Sequence, residues 1–231
     1  MKHCSVLGAG TMGNGIAHVF ATSGWNVSLF DISAPSLERA LATISKNLER
    51  QVAKGLLTAE EATAAVARIS TYTELAPAVA GSALVVEAAT ENVDIKLKLF
   101  AQLDEVCAPD TILASNTSSI AIGRIAAATK RPDKVIGMHF MNPVPVMKLV
   151  EIIRGYKTSD ATAAAVVAMS KELGKIPLEC NDFPGFVANR ILMPMINEAI
   201  ETLQTGVGSV EAIDSIMKLG MAHPMGPLQL A

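Results

Sequence analysis

A glycine-rich turn between a strand and a helix constrains the fold of this chain more than any other feature. An apolar run at residues 4–7 predicts a buried strand, and the letters GAGTMG follow from Gly8 onward, ahead of apolar residues at helical spacing. In this context GxGxxG is a dinucleotide-binding pattern. Gly8 permits the tight turn, Gly10 lets the backbone approach a pyrophosphate, and Gly13 lets the helix pack on the strand. The pyrophosphate then lies against the free N–H groups and positive dipole end of the helix.

An acidic residue ends the second predicted strand. Residues 25–30 form that strand, and Asp31 follows it roughly 20 residues after Gly13, where an acid binds the ribose hydroxyls of a dinucleotide. Because a carboxylate repels a 2′-phosphate, we expect NAD rather than NADP as the cofactor. A helix N-cap at Asp31 and ordinary turn glycines would explain the parts separately. They do not explain the order of strand, glycines, helix, strand and acid.

A histidine and a glutamate stand at equal distances from a proline later in the chain. Residues 135–138 and 149–153 predict two strands, and the prolines between them force the chain into a turn. His139 and Glu151 each lie six residues from Pro145, so in an antiparallel pair they would face each other on one side of the sheet. A carboxylate beside an imidazole orients the ring and favours its protonated form, which suits a general base. The spacing fits equally well a strand-end histidine beside a surface glutamate.

The composition excludes several classes of function. A net charge of −3 provides no basic field for nucleic acid or an anionic membrane, and no apolar run is long enough to span a bilayer. Cys4, Cys107 and Cys180 lie far apart without metal-ligand spacing, so we expect no metal site and interpret each as a small buried hydrophobe. We expect no targeting peptide, because the first strand begins almost at Met1. With the odd number of cysteines, this predicts a reducing, cytoplasmic location.

Two consecutive helices are predicted where a Rossmann crossover needs only one. Residues 36–54 carry apolar side chains at helical spacing, and a second helix over 58–68 begins with a capping-box pattern. The pair predicts a helical hairpin inserted in the α/β domain. Asn47 and Lys54 can share a face of the first helix, where they would either meet a phosphorylated ligand or simply face solvent.

Polar residues follow two further predicted strands. Glu91 lies in the loop after residues 83–89, and Ser118 lies in the run SNTSS after residues 111–114. Ligands of doubly wound sheets bind beyond such strand ends, although the SNTSS run also fits a cap for the next helix. The predicted fold class is therefore α/β, with a Rossmann-like, doubly wound and mostly parallel sheet.

The character of the chain changes after a cluster of turn residues at 181–185. Beyond it, apolar residues at helical spacing predict only helices. We therefore expect a dinucleotide-binding domain over residues 1–184 and a smaller all-α domain over 185–231. Asn189 lies in the first turns of the second domain, where it would face a ligand in a cleft or be exposed like any polar helix residue.

Five motifs occur in an order typical of one enzyme family: GAGTMGNGIA, ASNTSS, HFMNPVPVMKLVEII, PGFVANRI and HPMGPLQL. Over nearly its whole length the chain resembles the (S)-3-hydroxyacyl-CoA dehydrogenases, and among them the bacterial 3-hydroxybutyryl-CoA dehydrogenases. The resemblance implies an N-terminal NAD domain, a helical hairpin that helps to hold CoA, and a C-terminal helical domain that pairs two subunits in a homodimer. It also implies further helices beyond Ala231, so we expect the second domain to be incomplete.

The resemblance further implies roles for individual residues. The implied catalytic residues are His139 as the base, Glu151 as its partner carboxylate, and Ser118 and Asn189 as groups that hold the substrate oxygen. The implied contacts with the acyl-CoA substrate are Asn47, Lys54, Ser118 and Asn189. The implied NAD contacts are Gly8, Gly10, Thr11, Met12, Gly13, Asp31, Glu91, Lys96, Ser118 and Asn142.

The reaction implied by the resemblance is NAD-linked oxidation of a short-chain (S)-3-hydroxyacyl-CoA to the 3-oxoacyl-CoA, and its reversal, in fatty-acid or butyrate metabolism. Two alternatives stay open, since a fold does not determine a substrate. One is a dehydrogenase of a hydroxy acid without CoA on the same fold. The other is an NAD-binding protein without turnover.

Overall fold

Eight short strands form one sheet in the computed structural model, which describes residues 2–231. Apolar and β-branched runs such as ILAS and VIGMHF are buried along their whole length, as expected of strands covered on both faces. The strands are β1 (His3–Leu7), β2 (Asn26–Phe30), β3 (Ile69–Tyr72), β4 (Leu84–Glu87), β5 (Ile112–Ser115), β6 (Val135–Phe140), β7 (Leu149–Arg154) and β8 (Ile176–Asn181).

The sheet is parallel except at one reversal. In the order β3-β2-β1-β4-β5-β6-β7-β8, every neighbouring pair is parallel apart from β6 and β7, which run antiparallel. The strand order turns back between β1 and β4, which is where doubly wound sheets bind their ligands. The predicted fold class, a Rossmann-like and mostly parallel α/β sheet, is confirmed.

Helices connect and flank the strands, and several begin at a residue that caps them. The side chains of Ser33, Thr58, Asn92 and Ser159 each accept a hydrogen bond from the backbone N–H three residues later. A short 3-10 helix covers Pro132–Lys134. The α-helices are α1 (Thr11–Thr22), α2 (Ala34–Ala53), α3 (Ala59–Ala67), α4 (Leu75–Val79), α5 (Val93–Val106), α6 (Ile122–Ala126), α7 (Asp160–Glu172), α8 (Ala188–Gln204), α9 (Val210–Gly220) and α10 (Pro227–Leu230).

The predicted helical hairpin is present as α2 and α3, which pack against each other. Thr58 and Glu61 form the capping box that the sequence predicts at the start of α3. Four short elements are not predicted from the sequence: β3, α4, the 3-10 helix and α10. β3 is a four-residue strand at the edge of the sheet with no fully buried side chain, and α4 has five residues including a proline. None of the four is long enough to show an apolar period.

The chain divides into two compact units, of which the first ends at Phe183 and the second is Pro184–Ala231. The first unit contains the sheet and α1–α7. At its end, the carboxylate of Asp182 accepts hydrogen bonds from the N–H groups of Ile122 and Gly123, at 3.0 and 2.7 Å, and so caps the start of α6. The division lies one residue before the domain boundary that the turn residues predict.

The second unit consists of α8, α9 and α10, and its predicted all-α character is confirmed. Asp214 of α9 is buried and accepts a hydrogen bond from Leu228 N at 2.9 Å, which ties α10 to α9. A groove of about 410 Å³ lies in this unit. Its apolar lining includes Met195, Ala199, Val207, Ile213, Ile216 and Met217.

Two kinds of feature are absent from residues 2–231. None of the helices there combines the length and the apolar character needed to cross a membrane. No group of three or more His, Cys, Asp or Glu side chains in the same range could hold a metal ion.

Burial is expected to make two thiols unreactive. Cys4 is fully buried in β1 and Cys107 is 7% exposed at the end of α5. Burial raises the pKa of both thiols, to about 11 for Cys107. Because the thiolate is the reactive form, we expect both to resist a disulfide reagent near pH 8 in the folded protein and to react in urea. Peptide mapping by mass spectrometry identifies the labelled cysteines. Labelling of either thiol in the native protein at its rate in urea would contradict this prediction.

Candidate active site

The reversal between β6 and β7 brings a histidine and a carboxylate together inside the sheet. His139 and Glu151 are register partners in this antiparallel pair, as their equal spacing from Pro145 predicts. His139 Nδ1 lies 2.7 Å from Glu151 Oε2, and the two residues are 5% and 4% exposed. An ionised carboxylate can only accept, so Nδ1 carries the proton and donates to Glu151. Nε2 of a neutral His139 is then a proton acceptor.

A serine hydroxyl occupies the other side of the histidine ring. Ser118 Oγ lies 2.9 Å from His139 Nε2, where the hydroxyl donates to a neutral ring. Ser118 belongs to the loop after β5, at the edge where the parallel strands end. The polar run SNTSS therefore reaches the histidine, and the distances join Ser118, His139 and Glu151 in one line of hydrogen bonds.

Glu91 holds the backbone of the serine loop in place. Its carboxylate accepts hydrogen bonds from Ser118 N at 2.6 Å and from Thr117 Oγ1 at 3.0 Å. The ammonium of Lys96 lies 3.8 Å from the same carboxylate. Glu91 thus connects the loop after β4 with the loop after β5, two neighbouring strand ends that the sequence identifies separately.

A buried ion pair that the sequence analysis missed lies beneath these loops. Glu87, at the end of β4, is fully buried, and its Oε2 accepts from Lys96 Nζ and from Ser115 Oγ. Its Oε1 accepts from Ala89 N at 2.9 Å. A buried carboxylate needs such partners, because an unpaired one would be too costly to desolvate. The signal in the sequence was the glutamate that ends the otherwise apolar run LVVE.

The ion pair also bears on Lys96, for which the resemblance implies a contact with NAD. Lys96 is only 1% exposed, and its ammonium neutralises Glu87. The structure therefore shows a supporting task for this residue beneath Glu91. A direct contact with the cofactor stays a prediction.

The glycine loop is shaped as the GxGxxG pattern predicts. Gly8 has a φ of +99°, and a Cβ there would lie 2.6 Å from Ala88 O. A Cβ on Gly13 would lie 1.7 Å from Gly8 O, so only glycine lets α1 pack this closely on β1. A Cβ on Gly10 would meet nothing within 4 Å. Gly10 therefore faces open space, as expected of the position where a pyrophosphate approaches the backbone.

The N-terminus of α1 is free to accept an anion. Gly10 caps the helix without a side-chain hydrogen bond, and no acidic residue lies in the first turn, which contains Thr11 and Met12. The N–H groups and the positive dipole end of α1 are thus unneutralised. This end of the helix fits the negative pyrophosphate of a dinucleotide.

Asp31 lies beside the glycine loop. Its carboxylate accepts from Ala9 N at 2.8 Å and from Ser33 N at 2.9 Å, whereas Ser33, not Asp31, caps α2. A cavity of about 480 Å³ opens here, with Gly8, Asp31 and Ile32 along one side. Its other lining residues include Ala89, Thr90, Ile95, Lys98 and Leu99. A carboxylate between apolar walls fits an adenosine, whose ribose presents hydroxyls to the acid.

The remaining predicted residues lie on three other elements. Asn142 is exposed in the turn between β6 and β7. On α2, Asn47 accepts a hydrogen bond from Arg50 at 3.3 Å, and Lys54 ends the helix as an exposed side chain. Asn189 lies in the first turn of α8, in the second unit. The roles of these four residues stay predictions.

The polar run after β5 contains one further buried group without an assigned role. Asn116 Oδ1 accepts from Phe140 N at 2.8 Å and joins the loop after β5 to the end of β6. Asn116 belongs to the SNTSS run, but its contact with β6 depends on two strands that are distant in sequence. Sequence spacing alone therefore cannot identify it.

Comparisons with known proteins agree with this geometry. Residues 3–183 match the family model described as 3-hydroxyacyl-CoA dehydrogenase, NAD binding domain, and residues 185–231 match the model of the C-terminal domain of the same family. A probable 3-hydroxybutyryl-CoA dehydrogenase of Bacillus subtilis is 52% identical over 231 residues, which cover 100% of this chain and 80% of that protein. The 3-hydroxybutyryl-CoA dehydrogenase of Bradyrhizobium diazoefficiens is 54% identical over 231 residues, covering 100% of this chain and 78% of that protein.

A solved structure gives the same result. The crystal structure of (S)-3-hydroxybutyryl-CoA dehydrogenase from Ralstonia eutropha superimposes with a TM-score of 0.97 at 51% sequence identity. The match covers 100% of this chain and 81% of that one. With both domain models matched in order along its length, the chain belongs to the NAD-dependent 3-hydroxyacyl-CoA dehydrogenase family.

Proposed function

We propose that this chain interconverts (S)-3-hydroxyacyl-CoA and 3-oxoacyl-CoA, with short acyl chains such as the 3-hydroxybutyryl group as its substrates. The observation that carries the proposal is the buried line of hydrogen bonds from Ser118 through His139 to Glu151. His139 Nε2 is thereby a proton acceptor that Glu151 orients and backs with a negative charge. It lies near the strand ends, where doubly wound sheets bind their ligands. The names of the relatives support the choice of a short acyl chain.

In the direction of oxidation, His139 acts as the general base. Nε2 takes the proton of the 3-hydroxyl group, the C3–H bond breaks with both of its electrons, and a carbonyl forms at C3. NAD supplies the acceptor for that hydride. General-base catalysis of this kind contributes about 10²–10⁴ to the rate. Glu151 holds the ring in the required tautomer and stabilises the imidazolium that forms.

Hydroxyl and amide groups hold the reacting oxygen. Ser118 Oγ, already within hydrogen-bond distance of Nε2, donates to the substrate oxygen when the substrate joins the site. Asn189 is the second such donor in this proposal, on the strength of the family resemblance. In the direction of reduction, the same donors polarise the ketone while a protonated His139 delivers the proton.

The proposed cofactor contacts surround the glycine loop. The pyrophosphate lies on the N-terminus of α1, beside Thr11 and Met12, and Asp31 receives the adenosine ribose. Glu91, Lys96, Ser118 and Asn142 support or contact the nicotinamide half. The CoA lies along the α2–α3 hairpin near Asn47 and Lys54.

We also infer that the protein acts as a homodimer in the cytoplasm and binds neither nucleic acid nor membrane. The family resemblance supports the dimer, and the bacterial relatives with their intracellular class of substrate support the compartment. The net charge of −3 argues against a nucleic-acid partner.

Light scattering of the purified chain tests the oligomeric state, and a monomer at assay concentration would contradict the inferred homodimer.

Turnover with a CoA thioester is the first expected result. The protein should bind NADH, seen as a change in nucleotide fluorescence, and should oxidise it when acetoacetyl-CoA is added. Free acetoacetate should give a far lower kcat/KM, because it lacks the CoA that the hairpin is proposed to hold. Equal turnover of the two substrates would instead favour a hydroxy-acid dehydrogenase that does not use CoA. Binding without any turnover would contradict the proposed function.

Substitution of His139 or Glu151 is expected to lower kcat strongly and to leave NADH binding unchanged. His139→Gln should lower kcat by about 10²–10⁴, because it removes the base. Glu151→Gln should also lower kcat, since an amide cannot stabilise the imidazolium by charge. Both variants should keep the wild-type Kd for NADH. Glu179→Gln makes the same change on the neighbouring strand β8, at a half-exposed carboxylate, and serves as the control. A His139→Gln enzyme of normal activity would overturn the assignment.

Two glycine substitutions should separate cofactor binding from folding. Gly10→Ala meets no neighbouring atom within 4 Å, so its free energy of unfolding should stay close to that of the wild type. Its methyl group would occupy the space of the pyrophosphate and weaken NADH binding by about tenfold or more, roughly 1.4 kcal/mol. Gly13→Ala collides with Gly8 O and should cost about 3 kcal/mol of stability in urea unfolding. Wild-type NADH affinity in Gly10→Ala would place the pyrophosphate elsewhere.

A further inference from the structure

A buried lysine at the start of β8 binds the turn that connects β6 and β7. Lys175 is 8% exposed, and its ammonium donates to the backbone carbonyls of Val144 and Met147, the second at 2.8 Å. Within residues 2–231, no carboxylate forms an ion pair with this ammonium. The two carbonyl oxygens are its hydrogen-bond acceptors.

Placing an ammonium here has a cost that a hydrocarbon would not have. Burial disfavours the charged form and lowers the pKa of Lys175. An apolar side chain of the same length would fill this space without that cost. The ammonium adds three hydrogen-bond donors, which a hydrocarbon lacks, and the backbone carbonyls here can only accept. The physical task of Lys175 is therefore to fix the two carbonyls.

The turn that it fixes is long and has few bonds of its own. Residues 141–148 connect the strands, whereas most hairpin loops have about 2–5 residues. Inside the turn, Val146 N and Met147 N both donate to Pro143 O at 3.0 Å. A turn of this length needs outside contacts to hold one conformation.

The turn also packs on α1, the helix that follows the glycine loop. Val144 is 2% exposed, and a Cβ on Gly15 of α1 would lie 2.9 Å from Val144 Cβ. Gly15 is one helical turn beyond Thr11, at the end of α1 that carries the glycine loop. The turn thus packs on α1 through Val144, and the Lys175 ammonium binds its backbone carbonyls.

We propose that Lys175 is a positioning residue for cofactor binding. Its ammonium holds the 141–148 turn, which packs on α1, and so fixes the backbone position of Asn142. The inference rests on the proposed function, because the contact of Asn142 with NAD is part of that proposal. Lys175 acts through the backbone of the turn and does not touch the reacting atoms.

The pKa of His18, a buried histidine in α1, responds to the charge of Lys175. His18 is 2% exposed in α1, and its Nε2 lies 3.3 Å from Gln51 Oε1. Burial lowers the pKa of His18, the Gln51 hydrogen bond raises it, and the charge of Lys175 lowers it further. Removal of the Lys175 charge should therefore raise the pKa of His18. This change would show that Lys175 is charged and close to His18 in the folded protein, and the NADH affinities then test its role.

The experiment compares Lys175→Met, Lys175→Arg and the control Lys171→Met, an exposed lysine in the last turn of α7. In Lys175→Met, the Kd and KM for NADH should rise about tenfold or more, the loss expected for charge-assisted hydrogen bonds. The KM for acetoacetyl-CoA should change much less. Lys175→Arg, which keeps the donors, should lie closer to the wild type, and Lys171→Met should match it. NMR titration of the histidines should show a raised pKa for His18 in Lys175→Met alone.

The outcomes separate this inference from the proposed function. If Lys175→Met loses stability in urea but keeps its NADH affinity within about twofold of the wild type, the lysine is only structural and the inference is wrong. If circular dichroism shows that Lys175→Met does not fold, Lys175→Gln replaces it. Wild-type NADH affinity in that variant would be equally decisive against the inference. Failure of the wild type to bind NADH or to turn over would overturn the proposed function, and the inference with it.

Discussion

The antiparallel pairing of β6 and β7 is the constraint on which the candidate site depends. In a sheet whose other neighbours are all parallel, this one reversal lets residues from two consecutive strands face each other. It sets His139 against Glu151 at 2.7 Å with both side chains buried. At this distance the carboxylate fixes the orientation and the tautomer of the ring. A register slip of one residue would turn one partner to the opposite face of the sheet and separate the pair.

Charges buried beneath the strand ends extend this arrangement. Glu87 binds Lys96 and Ser115, Lys96 approaches Glu91, and Glu91 accepts the N–H of Ser118. Each buried charge has its partner, as the cost of desolvation requires. The conformation of the serine loop is therefore decided by groups on β4 and α5 as much as by the loop itself. Preorganisation of this kind lets a site act on its substrate without reorganising first.

The 141–148 turn connects the cofactor-binding helix α1 with the strand that carries His139. The turn begins just after β6, packs on α1 through Val144 and accepts hydrogen bonds from Lys175 through two of its carbonyls. Movement of the turn would thus affect both the histidine strand and the helix that fits the pyrophosphate. This connection gives a physical reason for burying an ammonium at this position.

The sequence by itself determined the features that depend on local order. GxGxxG between a strand and a helix, the acid at Asp31 and the capping box at Thr58 can be identified because each is read within one or two elements. The equal spacing of His139 and Glu151 from a proline predicted their pairing, since one hairpin contains both. Tertiary structure alone decided the partners of Glu87 and Lys175. Those contacts join strands, helices and turns that are distant in the chain, and a single glutamate or lysine in a sequence carries no sign of which distant group it will meet.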